Sequence, residues 1–143
     1  MTEVPFTEAK HPITIGYAED EYWQLKSIVE ILEENEFIVD FAVRDGAQLI
    51  RVAQQCPTRP DIYITDLKMP KLDGIHAAAE LIRRWPESKV IILTGETEKC
   101  YVDAARNAGA LAFLNKPITD AKLSQAVNEV YETGKTSVGL INL

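Results

Sequence analysis

An alternation constrains this chain more than any other feature. Five short apolar runs, at 13–18, 37–43, 61–65, 90–94 and 111–115, are each followed by a longer stretch with helical spacing. The helical patterns lie near 21–34, 46–55, 74–85, 97–108 and 119–133. Short strands that each lead into a helix imply an α/β fold, a parallel sheet covered by helices on both faces. The punctuation agrees. Gly109 falls one residue past a helix and suits a left-handed cap. Pro57 and Pro86 stop two others. Leu123, Ala126, Val127, Val130 and Tyr131 recur with a period near 3.6, the mark of one buried helical face. Residues 1–12 are polar, carry two prolines and read as a flexible N-terminal arm. After Thr133 only GKTSVGLINL remains, too short for a second domain, so 134–143 reads as a C-terminal tail or truncated linker.

Composition closes off several function classes. The 143 residues make one ordinary domain, which buries about two-thirds of its unfolded surface and folds without staples. A net charge of −7 argues against direct nucleic-acid binding by this domain, which needs clustered positive charge. No run approaches the roughly 18–20 apolar residues of a membrane span. The N-terminus has no apolar core of a secretory signal. Cys56 and Cys100 lack CxxC spacing, so a disulfide framework or zinc site is not expected, and reduced thiols in a cytoplasmic protein are the simplest reading.

Open α/β sheets hold ligands beyond the C-terminal ends of their strands. There this sequence collects polar residues: Glu19 and Asp20 after the first strand, Asp66 after the third, Thr94 at the end of the fourth, and Lys116-Pro117 after the fifth. Each has an ordinary reading. Asp20 taken alone is a helix N-cap, Thr94 a good strand former, and Lys116 a solvated loop residue. Together they form one constellation. Close carboxylates repel unless a cation intervenes, and oxygen-only donors suit a hard ion such as Mg²⁺. A carboxylate in such a site can accept a phosphoryl group as an acyl phosphate, with Lys116 and the metal neutralising charge.

These residues resemble the response-regulator receiver domains of two-component signalling. The resemblance covers roughly residues 13–133. Glu19-Asp20 is similar to the family's acidic pair, and Asp66-Leu67-Lys68-Met69-Pro70-Lys71-Leu72-Asp73-Gly74 to the segment around its phosphoacceptor. Thr94 is similar to the switch hydroxyl, Phe113 to the switch aromatic and Lys116-Pro117 to the Lys-Pro pair. RRWPESKVIILTG and AGALAFL resemble receivers attached to helix-turn-helix output domains. The resemblance implies a three-layer, flavodoxin-like (βα)5 fold with strand order 2-1-3-4-5 and its crevice between strands 1 and 3. It implies phosphorylation of Asp66 by a sensor histidine kinase or phosphotransfer protein. It implies Mg²⁺ held by Glu19, Asp20, Asp66 and the backbone carbonyl of Lys68. Lys116 would contact the phosphoryl group, Thr94 would move toward it, and Phe113 would turn inward. The Lys116–Pro117 bond is expected to be cis. The family is a phosphoacceptor signalling domain rather than an enzyme with turnover. Its output face would be helix 97–108, strand 111–115 and helix 119–133, a possible homodimer or partner surface.

Some positions depart from or refine that pattern. Glu19 stands where Asp is commoner, and its longer arm changes how it meets a metal. Lys68 and Glu96 lie two residues past Asp66 and Thr94; they are expected to pair across the mouth and tune dephosphorylation, or else to be two solvated charges. Asp73 reads as a helix cap and Gly74 as a turn residue. Trp23 falls roughly 160° from the stripe Leu25, Ile28, Val29, Leu32, so it is expected to be exposed beside the acidic pair, either as kinase-docking surface or lying flat on its neighbours. His11 and His76 have no partner spacing. A flavodoxin-like electron carrier would need a Ser/Thr- and Gly-rich loop where this chain has Glu19-Asp20-Glu21. An aspartyl phosphatase would carry a second Asp where this chain has Lys68. An interaction module without chemistry would not need every reactive position filled.

Overall fold

The computed structural model describes residues 11–141. Its strands are β1 (Thr14–Ala18), β2 (Ile38–Val43), β3 (Ile62–Thr65), β4 (Val90–Thr94) and β5 (Ala112–Asn115). The helices between and after them are α1 (Tyr22–Glu34), α2 (Gly46–Gln55), α3 (Gly74–Arg84), α4 (Lys99–Ala108) and α5 (Asp120–Thr133). All paired strands are parallel, in the order β2-β1-β3-β4-β5. This is the flavodoxin-like (βα)5 arrangement expected from the sequence.

The pleat sends alternate side chains to opposite faces. Ile62, Ile64, Ile91 and Leu93 join Leu32, Leu123, Val127 and Val130 in the layer beneath α1 and α5. Tyr63, Val90, Ile92 and Phe113 join Leu49, Ala77, Leu81 and Val102 beneath α2, α3 and α4. Each fully buried Ile or Leu contributes roughly 1.5–3 kcal/mol relative to exposure. β1, β3 and β4 are therefore apolar on both faces, which is why they read as continuous runs. β2, at an edge, has exposed positions.

Four strands start one residue later than the apolar runs. Asp61 shows why: it clasps β1 instead of joining the ladder. Its Oδ2 accepts from the backbone N (3.0 Å) and hydroxyl (3.1 Å) of Thr14. α4 starts at Lys99, two residues later than its pattern, and Glu98 there makes no side-chain capping bond. Asp73 caps α3 and Gly109 takes a left-handed conformation, as expected. The cap of α1 corrects the simplest reading of Asp20. Glu21 is the N-cap, accepting from the Gln24 amide at 2.9 Å, and Asp20 is left to the sheet edge. His76 also gains a partner that its spacing did not show, Asp73 at 2.8 Å.

The expected N-terminal arm lies outside the described residues up to residue 10. The expected tail or linker is described as far as Ile141. After Gly134 it folds back on the domain, burying Thr136 and packing Val138, Leu140 and Ile141 on the core.

Candidate functional site

The parallel register delivers the polar residues to one edge. Ala18 pairs with Thr65, and Thr94 pairs with Asn115. Backbone bonds carry the ladders one residue further, from Asp66 N to Ala18 O (3.0 Å) and from Lys116 N to Thr94 O (2.9 Å). Glu19, Asp66 and Lys116 are thus fixed by sheet backbone rather than by loops. Gly74 tightens the arrangement. A Cβ there would lie 1.9 Å from the Asp66 carbonyl oxygen, and its amide donates to Leu67 O at 2.7 Å. The start of α3 is pressed against the turn that carries Asp66.

Lys116 is the centre of the site. Its Nζ donates to Glu19 Oε1 at 2.8 Å and to Asp66 Oδ2 at 3.0 Å, and also to Gln24 Oε1. The other Asp66 oxygen, Oδ1, accepts from the Leu67 amide at 2.6 Å. Glu19 is 1% exposed. It also accepts from the Tyr17 hydroxyl at 3.4 Å and the Glu21 amide at 3.1 Å. Burial pushes the Glu19 carboxyl above its usual range; the Lys116 bond opposes this, and the charge of Asp66 reinforces it. For Lys116 burial works downward, but its bonds to Glu19 and Asp66 prevail and hold the ammonium above its ordinary value. Tyr17 is driven upward by burial and by Glu19, and stays a neutral donor.

One carboxylate oxygen from each of Glu19, Asp20 and Asp66 lies within a common span of 4.8 Å. The donor set is oxygen only, partly buried and rich in negative charge, which fits a hard divalent cation and not a thiolate- or imidazole-seeking metal. Arg44 braces this corner, with Nε and Nη2 donating to the Asp20 carbonyl at 3.0 and 2.8 Å.

Of the remaining expected residues, Trp23, Lys68, Thr94, Glu96 and Pro117 line an open cleft of about 640 Å³, and Phe113 does not. Thr94 is buried, and its hydroxyl accepts from the Glu96 amide at 3.3 Å. Lys68 and Glu96 do pair across the mouth, Nζ to Oε2 at 3.6 Å. Phe113 is fully buried in the layer beneath α2, α3 and α4. Lys116–Pro117 is cis. Trp23 is 69% exposed on the rim of the cleft, edge-on to Tyr22 at 5.1 Å.

Gln24, Tyr17, Arg44 and Tyr101 belong to this neighbourhood and were not singled out from sequence. Gln24 is polar on a helix and carries no local signal. Tyr17 reads as an ordinary strand residue. Arg44 reaches Asp20 only through the pairing of β1 with β2. Tyr101 lies beneath Lys68, with Nζ 5.2 Å from its ring centroid, a contact that periodicity does not reveal.

The model of the response regulator receiver domain matches residues 15–128. The chain belongs to the response-regulator receiver family. Receivers of this family are signalling domains. Among curated relatives, it is 32% identical over 120 residues to the transcriptional regulatory protein PdtaR of Mycobacterium tuberculosis, covering 84% of this chain and 57% of that protein. It thus spans little more than half of that relative's length. It is 34% identical over 103 residues to protein CcdB of Bacillus subtilis, covering 72% of this chain and 84% of that one. A receiver domain protein from Clostridium thermocellum superposes with a TM-score of 0.78 at 32% identity, over 85% of this chain and 96% of that chain. CheY in the CheX–CheY–BeF3–Mg complex of Borrelia burgdorferi shares the fold, with a TM-score of 0.82 at 23% identity over 87% of this chain and 93% of the other. Among the described residues of this receiver, no helix is long and apolar enough to cross a membrane.

Proposed function

We propose that this receiver accepts a phosphoryl group on Asp66 from a phosphohistidine of a sensor kinase or phosphotransfer protein. The observation that carries this is the bridge of Lys116 between Glu19 and Asp66, at 2.8 and 3.0 Å, at the C-terminal edge of the sheet. An Asp66 carboxylate oxygen forms a bond to phosphorus while the P–N bond to the donor imidazole breaks. That electron pair stays on the imidazole nitrogen, which takes up a proton. Glu19, Asp20, Asp66 and the Lys68 carbonyl would hold Mg²⁺, which supplies positive charge against the phosphoryl oxygens. The Lys116 ammonium, already beside Asp66, supplies a second positive charge. The Leu67 amide keeps one Asp66 oxygen fixed, so the other is the one presented to phosphorus. Thr94 offers its hydroxyl to a phosphoryl oxygen.

Reversal by water breaks the P–O bond to Asp66 and regenerates the carboxylate and free phosphate. Lys68 and Glu96 stand over that approach and slow it. The new charge, about −1.5 to −2, biases β4 and β5 through Thr94 and Phe113 and shifts the population of the α4-β5-α5 face. That face serves a homodimer or an output partner. Trp23, exposed beside the cleft, is docking surface for the phosphodonor protein. The domain is a cytoplasmic switch that acts only on its own phosphoryl group.

Intact-mass measurement after incubation with acetyl phosphate tests the reading. A single phosphoryl adduct that requires Mg²⁺ and is lost in Asp66→Asn is expected. No adduct under any condition would leave an interaction module without chemistry.

A further inference from the structure

The α4-β5 edge of the face assigned to output is already covered. Residues 136–141 run back along the outer edge of β5 and are tied down at both ends. At the near end Thr136 is buried, with its hydroxyl 2.5 Å from Glu129 Oε1, and the Ser137 amide donates to the same oxygen at 3.1 Å. At the far end Arg106 of α4 donates through Nε and Nη2 to the Ile141 carbonyl, at 3.2 and 2.6 Å. Between them the Leu140 amide donates to the carbonyl of Phe113 at 3.0 Å. The side chains straddle the sheet edge. Val138 packs with the α1/α5 layer, and Leu140 and Ile141 with the opposite layer. Leu140 forms one wall of a groove whose other walls are Thr97, Lys99, Val102, Asp103 and Arg106 of the α4 region.

Gly139 makes the fit possible. It has φ +90°, and a Cβ there would stand 2.3 Å from the Phe113 carbonyl oxygen. Only glycine both adopts that conformation readily and lets the chain approach so closely.

We infer that residues 136–141 form an autoinhibitory strap, seated on the carbonyl of Phe113, that closes the α4-β5 edge until Asp66 is phosphorylated. Phe113 stands opposite Ile92 in the β4-β5 ladder, two residues before Thr94. A shift of Thr94 toward a phosphoryl group therefore moves the residue that holds the strap. Release frees the Phe113 carbonyl on the β5 edge and uncovers the core side chains on which Val138, Leu140 and Ile141 pack, leaving unpaired backbone beside apolar surface. The coupling rests on the receiver reading above. It is also reciprocal: a ligand that loosens the strap must bind more tightly when the strap is loosened by other means.

The test uses the full chain, its Gly139→Ala variant and its Leu140→Asp variant. Neither position touches the phosphoacceptor site. Hydrogen exchange of the segment 137–141 is followed with Mg²⁺, before and after adding beryllofluoride. Beryllofluoride affinity is titrated on all three chains by tryptophan fluorescence. Expected are a protected Leu140 amide that exchanges faster when beryllofluoride binds, a strap unprotected from the outset in both variants, and several-fold tighter beryllofluoride binding by them. Binding with unchanged strap exchange, or variants with unchanged affinity, would overturn the strap as a regulator and leave a structural cap. Failure of all three chains to bind beryllofluoride would overturn the receiver reading, and the coupling with it. Faster exchange in the variants would even then separate that failure from an error about where the strap is seated.

Discussion

Replacing Lys116 by Met tests whether the site is held together by charge. The ammonium sits between Glu19 and Asp66 and is only 16% exposed, against 1% for Glu19. Met keeps the bulk of the side chain and removes the charge. Glu19 would then be a buried carboxylate facing Asp66 with no cation beside it. Breaking a buried pair by removing one partner typically costs 3–5 kcal/mol. The low end applies here, about 3 kcal/mol, because Lys116 retains some solvent and Glu19 keeps its bonds to Tyr17 and the Glu21 amide. At this chain length that cost lowers Tm by about 10 °C. The assay is urea and thermal unfolding at pH 7 in the presence of a chelator, so that no divalent ion substitutes for the lysine. Glu19→Gln/Lys116→Met should recover most of the loss, since it removes the stranded charge as well. A loss under about 1 kcal/mol, the range of an exposed pair, or a double variant no more stable than the single one, would refute the electrostatic account.

Three further outcomes follow from the same geometry. Glu96→Ala removes the partner of Lys68 at the mouth of the cleft (3.6 Å); stability should change by less than about 1 kcal/mol while the phosphoryl lifetime shortens, and an unchanged lifetime would sink the tuning role. Gly74→Ala forces α3 away from the Asp66 carbonyl, which a Cβ would meet at 1.9 Å; overpacking of this kind costs about 1–3 kcal/mol, and acetyl phosphate uptake should fall about tenfold or more because the nucleophile is displaced. Trp23→Ala should slow transfer from a phosphohistidine donor more than from acetyl phosphate, and equal effects on both would remove Trp23 from the docking surface.

Most of the fold was legible because its signals are local. β1, β3 and β4 are apolar on both faces, so short runs such as Val90–Thr94 stand out, and Gly109 and Asp73 mark helix ends by their own chemistry. The site was legible because strand ends are where a parallel sheet brings distant residues together. Glu19, Asp20, Asp66, Thr94 and Lys116 needed only the strand order to be placed. What could not be read depends on contacts across the sheet. Glu21 rather than Asp20 caps α1, because its carboxylate is the one that reaches the free Gln24 amide. Gln24 and Arg44 reach the site from a helix and from the turn just after β2, with no motif to mark them. The strap left a faint trace, apolar Val138, Leu140 and Ile141 around Gly139, but its seat on Phe113 and Arg106 exists only once α4 and β5 are packed side by side.

The central claim is that Asp66 is the residue that takes the phosphoryl group. Borohydride reduces an aspartyl phosphate to homoserine, so reduction of the acetyl phosphate-treated chain followed by peptide mapping reads the position directly. Homoserine at residue 66, dependent on Mg²⁺ and absent from the Lys116→Met variant, is the predicted result. Homoserine at Asp20 or another carboxylate, or at none, would contradict the assignment.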